Sequence, residues 1–372
     1  MSKERRHREP RPVRRAKPAS LPALRAQIDE IDQELIERLN ARAALAVEIA
    51  QLKEADGQDT FSPGREDQVI ERAITLSQGP LEAESVRAIF REVISGARKL
   101  EKKLRVAYLG PMHSYSHLAT LHRFGEGVEL VAVPTIAAVF EEVHRRHVDY
   151  GLVPIENSTD GRIADTLDMF TRLRVRICSE VPLHIHHTLL ARCKPSEVRE
   201  VQSKPQALSQ CRNWLARHLP QARLVEVAST SQAAEQARDT HGVAAIASAQ
   251  AGAFYGLDVL AAKIEDNPEN MTRFAVIGLT AAPPSGRDKT AAMFEIAHRP
   301  GSLSDAIAIF KRNKLNLTWI ESFPIARGEY LFFIELEGHE QDPAVRRALA
   351  TLRKKTLRLE ILGSYPRGEA VG

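Results

Sequence analysis

No apolar run in this 372-residue chain reaches the roughly 18 residues needed to span a bilayer, so the sequence offers no membrane segment. The basic N-terminus has no apolar stretch behind it, which argues against a secretory signal. Cysteine is scarce. Cys178, Cys193 and Cys211 are odd in number and match no zinc-ligand spacing, so a reducing cytoplasm is the expected location. No G-x-G-x-x-G follows a strand-like run, which argues against a dinucleotide-dependent dehydrogenase. There is no internal repeat. What is present is a hydrophobic content of 43%, ordinary for a globular protein, and a length that suggests two or three domains.

The net charge of +4 is unevenly spread. Residues 1–19 hold eight Lys/Arg against two Asp/Glu, which leaves the remaining chain at −2. This tail has three prolines and almost no large apolar residues, so it is expected to be a disordered, solvated tail, with no nucleic-acid partner.

Residues 20–103 carry only helical signals. Leu24, Ile28, Ile31, Leu35, Leu39, Leu45, Ile49 and Leu52 form an apolar stripe without Gly or Pro from Ala23 to about Asp56. Such a helix is about 50 Å long, more than a segment of this size covers by itself, so a partner chain is expected. Shorter helices are expected over 64–78 and 81–102. Across 104–281, short apolar runs alternate with amphipathic helical patterns, the signature of an α/β domain with a mostly parallel sheet, in a size that suits two lobes with a cleft. Residues 282–288 read as a linker. Over 289–372 the order βαββαβ is ferredoxin-like α+β.

On the long helix, Arg42 and Lys53 are about three turns apart and share a face, whereas Arg25 points elsewhere. Arg65 and Glu66 open the second helix, and Glu101 ends the third. Cations on a helix commonly form a solvated face. No nucleophile is placed here, so any chemistry is electrostatic, by fixed cations around an anion. The stretches "LPALRAQIDEIDQELIERLNARAALAVEIAQLK" and "PGREDQVIER" resemble the all-helical chorismate mutases. That resemblance implies an intertwined dimer rearranging chorismate to prephenate. Arg25 of the partner and Arg42 would hold the carboxylates, Lys53 and Glu101 would contact the ether oxygen, and Arg65 and Glu66 would lie near the ring hydroxyl. Some members carry Gln at the place of Glu101, and a glutamate donates only when protonated. Some carry an acid at the place of Ser62.

In the middle segment, "YLGPMHSYSHLA" places Ser114 at a helix start, "VQSKPQALSQC" places Ser203 at an expected N-cap with Pro205 inside the helix, and "VPIENSTDG" places Glu156 and Asn157 at a strand end. "TRF" puts Thr272 and Arg273 at a strand entrance. Singly these read as caps and strand residues. Together they resemble the prephenate dehydratases, with a two-lobed fold like that of periplasmic binding proteins. The resemblance implies Thr272 as the hydroxyl that donates to the departing ring hydroxyl of prephenate. Ser114, Glu156, Asn157, Ser203, Gln206 and Gln210 would line the cleft, and Arg273 would bind a carboxylate. Loss of hydroxide and carbon dioxide restores aromaticity and yields phenylpyruvate, so the driving force lies in the substrate and no cofactor or metal is required. His113 stands where the family has glycine. His184, His186 and His187 read as packing or surface residues.

"HRPGSLSDAIAIFKRNKLNLTWIESFPIARGEYLFFIELEGH" resembles an ACT regulatory domain, in which phenylalanine binds between two copies. Gly301, Ser302 and Leu303 match one ligand motif of the family. Glu321 and Ser322 match another, with Phe323 in place of arginine. The reading that follows is a homodimeric mutase–dehydratase under phenylalanine feedback. A solute-binding-like sensor and an arogenate-preferring dehydratase are the rival readings.

Overall fold

The computed structural model describes residues 20–55, 63–101, 104–159, 161–325 and 330–371, the side chains of Glu54, Pro63 and Glu101 excepted. The basic tail and Ser62 lie outside the described residues.

Helix α1 (Leu21–Ala55) starts where Ser20 Oγ accepts the Ala23 amide at 3.4 Å, with Pro22 in the first turn, where a missing N–H costs nothing. Helices α2 (Pro63–Leu76) and α3 (Ala83–Glu101) follow. The apolar stripe of α1 stays open. Ile31, Leu45 and Leu52 are 63%, 59% and 68% exposed, so the surface that ordinarily pays for such a helix is uncovered within one chain.

The next segment forms two lobes. The first contains β1 (Arg105–Leu109), α4 (Tyr115–Phe124), β2 (Glu129–Val133), α5 (Ile136–His144), β3 (Tyr150–Asn157), β4 (Gly161–Arg162), α6 (Ala164–Arg172) and β5 (Arg176–His184). The second contains β6 (Thr188–Ala191), β7 (Glu200–Ser203), α7 (Pro205–Gln210), α8 (Arg212–His218), β8 (Arg223–Glu226), α9 (Thr230–Asp239), β9 (Val243–Ala247), α10 (Ala249–Tyr255) and β10 (Asp258–Ala261). The chain then returns to the first lobe as β11 (Met271–Gly278), giving sheet orders β2-β1-β3-β11-β5 and β10-β6-β9-β7-β8. Each lobe is mixed rather than mostly parallel. β11 runs antiparallel to both β3 and β5 because it enters from the other lobe. Two crossings, after β5 and before β11, therefore join the lobes and border the cleft.

The C-terminal unit is β12 (Asp288–Glu295), α11 (Ser302–Arg312), β13 (Leu317–Pro324), β14 (Tyr330–Glu337), α12 (Pro343–Arg353) and β15 (Arg358–Pro366), ordered β13-β14-β12-β15. This is the expected βαββαβ order. Ile309, Phe310, Leu349 and Leu352 of its helices bury one sheet face. The other face shares a core with the first lobe, where Met293, Phe333 and Tyr365 join Val153, Ile155 and Phe170. The segment read as a linker is anchored at both ends, while Pro283, Pro284, Gly286 and Arg287 are exposed. Ala282 is buried, with His339 Nε2 3.1 Å from its carbonyl, and Asp288 accepts the amides of Ser285 and Gly286.

Helices α2 and α3 dock on the first lobe. Arg98 Nη1 donates to the Phe124 carbonyl at 3.1 Å and Ser95 Oγ accepts the Gly127 amide at 2.8 Å. A cavity of about 360 Å³ lies at this junction, lined by residues of all three parts of the chain, including His122. Burial, and then the cations Arg91, Arg123 and Arg87, push the His122 imidazole down to about 4. Its folded value lies below the unfolded one. The stability it carries is therefore fully present above pH 6.5 and lost as pH falls toward 4, about 3 kcal/mol in all. Chemical denaturation at pH 7 and pH 4.5 is expected to show a smaller acid loss for His122→Gln than for the natural chain.

Candidate active site

The cleft is built from strand ends and both crossings. β3 ends in Asn157 and β11 begins with Met271 and Thr272, and the register sets Thr272 opposite Asn157 and Arg273 opposite Glu156. The chain after Asn157 makes a tight side-chain-closed turn, in which Asn157 Oδ1 accepts the Thr159 amide at 2.9 Å. Gly161, at φ +79°, takes a left-handed conformation that a side chain would strain, and returns the chain as β4 against β3.

Asn157 Nδ2 donates to Thr272 Oγ1 at 2.9 Å. The amide orientation follows from its other end, since Oδ1 accepts the Thr159 amide and, at 3.5 Å, Gln210 Nε2. Gln210 Oε1 in turn accepts from Asn270 Nδ2 and from His187 Nε2, both at 2.9 Å. The Tyr115 hydroxyl lies 3.1 Å from His187 Nδ1 and 2.7 Å from the His186 carbonyl. Glu265 closes the network, holding the His187 amide and His186 Nδ1, each at 2.8 Å. Burial pushes the His187 imidazole down, so it is neutral near pH 7 and donates through Nε2. Burial, then Glu265 and Asp266, push the nearby Cys211 thiol up, which excludes a thiolate nucleophile.

This chain of donors ends on Thr272. Because Oγ1 receives a hydrogen bond from Asn157, its own hydrogen is left to donate elsewhere and the O–H is polarised. The arrangement suits proton donation to a leaving oxygen.

Several expected residues lie elsewhere. Strand neighbours point to opposite faces, so Glu156 and Arg273 lie on the face away from Thr272 and Asn157. Arg273 meets Glu156, Glu180 and Glu335 at 2.8, 2.8 and 2.6 Å, and so does not offer its guanidinium to a cleft carboxylate. Ser203 does not cap α7, whose N-cap is Lys204. It is fully buried and donates to the Ile246 carbonyl at 2.6 Å. Ser114 does cap α4, accepting the His117 amide at 3.3 Å. Gln206 is half-buried in the first turn of α7. His113 takes a left-handed conformation of the kind glycine adopts readily, at φ +64°, and its ring lies 3.9 Å from that of Phe254 in the second lobe. The sequence gives no sign of Tyr115, Glu265 or Asn270 in this network, and His187, which reads as a packing or surface residue, is joined to Gln210 within it. "HIHH" and "EDNPEN" were visible as polar clusters, but nothing in the chain order pairs them.

In the helical segment, Arg42 and Lys53 are half-buried on α1, while Arg25 and Arg65 are exposed. Glu66 departs from its expected place. It turns into the junction with the first lobe, 2.7 Å from Arg98 and 3.7 Å from Arg123, because burial there is compensated by those two cations. The Glu101 side chain lies outside the described residues. In the C-terminal unit, Gly301 begins α11 at φ +84°, and Gly301, Ser302 and Leu303 line a cavity of about 290 Å³ with Tyr330 and Phe332. Glu321 is not there. It pairs with Arg162 at 2.5 Å, and Arg162 also donates to the Ser322 carbonyl.

The family model of prephenate dehydratase matches residues 106–282, and that of chorismate mutase type II matches residues 24–102. A bifunctional chorismate mutase/prephenate dehydratase of Stutzerimonas stutzeri is 40% identical over 356 residues, 93% of this chain and 98% of that protein. One of Aquifex aeolicus is 40% identical over 354 residues, again 93% and 98%. A solved prephenate dehydratase of Arthrobacter aurescens in complex with L-Phe is 32% identical, covering 71% of this chain and 90% of that one, with a TM-score of 0.67. With both family models matched in order, and relatives at this identity along nearly their whole length, the chain belongs to the bifunctional chorismate mutase/prephenate dehydratase family.

Proposed function

We propose that the cleft between the lobes converts prephenate to phenylpyruvate and that α1–α3 supply the prephenate from chorismate. The observation that carries the first half is the hydrogen bond from Asn157 to Thr272. The substrate's carboxylate leaves as carbon dioxide, its bonding electrons enter the ring, and the ring C–O bond breaks. Thr272 donates a proton as the oxygen departs as water and takes one back from solvent, the one proton the overall reaction consumes. Gln210, held by His187 and Asn270, keeps Asn157 in the orientation that leaves the threonine hydrogen free. The driving force is aromatisation, so the protein supplies placement and one donor.

For the rearrangement, Arg42 and Lys53 of one chain and Arg25 of a second would surround the dianion. The open apolar stripe of α1 supports a homodimer wrapped along that helix. Phenylalanine is the proposed effector, and the cavity at Gly301–Leu303 is its proposed place. The amides that start α11 suit a carboxylate there, and Tyr330 and Phe332 suit an aromatic ring. Glu321 belongs to the contact with the first lobe instead, whereas the Ser322 side chain is exposed on the opposite face of β13. We place the enzyme in the cytoplasm, and no helix among the described residues is long and apolar enough to cross a membrane.

The test is to add chorismate to the purified chain and follow phenylpyruvate with and without phenylalanine. Prephenate accumulating without phenylpyruvate would favour the solute-binding-like sensor reading of the middle lobes. Phenylpyruvate formed at a rate indifferent to phenylalanine would remove the effector.

A further inference from the structure

The face of β3 and β11 opposite the cleft holds a buried ionic cluster shared with the C-terminal unit. Arg273 Nη2 lies 2.6 and 2.8 Å from the two oxygens of Glu335 on β14 and 2.8 Å from Glu180 on β5, while Nη1 lies 2.8 Å from Glu156 on β3. Lys289 of β12 completes the set, 2.8 Å from Glu180 and 3.6 Å from Glu335. The Tyr365 hydroxyl donates to Glu335 at 2.6 Å. The side chains of Glu180 and Glu335 are 1% and 2% exposed. Burial opposes the charge on Glu335, but Arg273 and Lys289 prevail and hold its carboxyl below the usual range. A second link lies beside the first, from Arg162 of β4 to Glu321 of β13 at 2.5 Å.

These links sit directly behind the reacting pair. Arg273 follows Thr272 in the chain. Arg162 pairs across the hairpin with Glu156, next to Asn157. The ladder between β3 and β11 shifts register between Arg273 and Phe274, so backbone pairing is irregular where the 2.9 Å bond from Asn157 to Thr272 must be held. The ion pair from Arg273 to Glu156 fastens the two strands at that point, and Glu335 and Glu321 fasten both to one external sheet.

We propose that Arg273 and Arg162 are positioning residues for the dehydration, through which docking of the C-terminal sheet holds Asn157 and Thr272 in register. The proposal rests on the reading of the cleft as the dehydratase site. It also gives that reading a route to its effector. Tyr330 and Phe332 line the cavity beside Gly301, and Glu335 is three residues further along the same strand, about 10 Å away. A ligand that shifts β14 moves the carboxylate holding the residue after Thr272.

The experiment uses the full chain with prephenate supplied directly. Glu335→Gln keeps the side-chain shape and removes the charge. A kcat lowered about tenfold is expected, part of the roughly 10²-fold that a misplacement of about 1 Å costs, with KM changed less than about twofold and mutase turnover unchanged. The half-inhibitory phenylalanine concentration is expected to shift in the same variant, and Glu335→Asp is expected to restore part of kcat. A folded Glu335→Gln chain with natural kcat overturns the proposal, as does a loss of kcat matched by an equal loss of mutase turnover. If Glu335→Gln does not fold, the more exposed pair decides. Arg162→Gln and Glu321→Gln are each expected to lower kcat about threefold, and together no more than either alone, as contacting residues do. No change, or losses that multiply, overturns it. A natural chain that forms no phenylpyruvate from prephenate overturns the cleft assignment instead.

Discussion

Thr272→Ala is expected to lower phenylpyruvate formation from prephenate by about 10²- to 10⁴-fold, the range of a positioned proton donor, while chorismate consumption stays at its natural rate. The methyl and hydroxyl of Thr272 lie at the strand entrance, half-buried, so truncation costs little packing and the loss is chemical. The hydroxyl also accepts the Asn157 amide, and its removal leaves that amide to turn toward Asn270 Oδ1, already 3.4 Å away. Thr272→Ser retains the hydroxyl but frees its rotation, and an intermediate rate is expected. Measuring both activities on one preparation separates a site effect from misfolding, because the two reactions use different parts of the chain. Near-natural phenylpyruvate formation by Thr272→Ala would remove Thr272 from its role.

Lys53→Ala is expected to lower chorismate turnover by about 10²- to 10³-fold, the cost of deleting one donor aimed at developing negative charge. The rearrangement has no proton to move and no covalent intermediate, so such donors and the carboxylate grips supply nearly all the catalysis. Phenylpyruvate formation from added prephenate is expected to be unchanged, and from chorismate to fall with the first step. Following chorismate absorbance checks it. An unaltered rate would mean that α1 does not carry the mutase site.

How much of this was legible beforehand varies with the kind of feature. The long first helix, the apolar strand runs at 150–155 and 274–279, and the βαββαβ order all follow from periodicity, because burial of one face imposes a period on the chain. The motif places Glu156 and Asn157 together at the end of a strand. It does not say which face of the strand the cleft lies on. Glu156 and Asn157 are equally polar and adjacent, and alternation sends one to each side. Asn157 meets Thr272, and Glu156 meets Arg273. Only the docking of a second sheet decides that the Arg273 side is occupied by Glu335 rather than substrate.

The same holds for residues brought in from far along the chain. Tyr115, His187, Gln210 and Asn270 come from four elements and meet only because both crossings between the lobes border one cleft. Glu66 follows the mutase motif in order, yet the first lobe supplies Arg123 beside it, and that cation with Arg98 decides where its carboxylate points. The sequence by itself determined the helices and strands, their order, the family motifs and the long apolar face of α1. The tertiary structure alone decided which of two neighbouring polar residues meets Thr272 and which meets Arg273, because that choice depends on what packs behind the strand, and no local pattern encodes it.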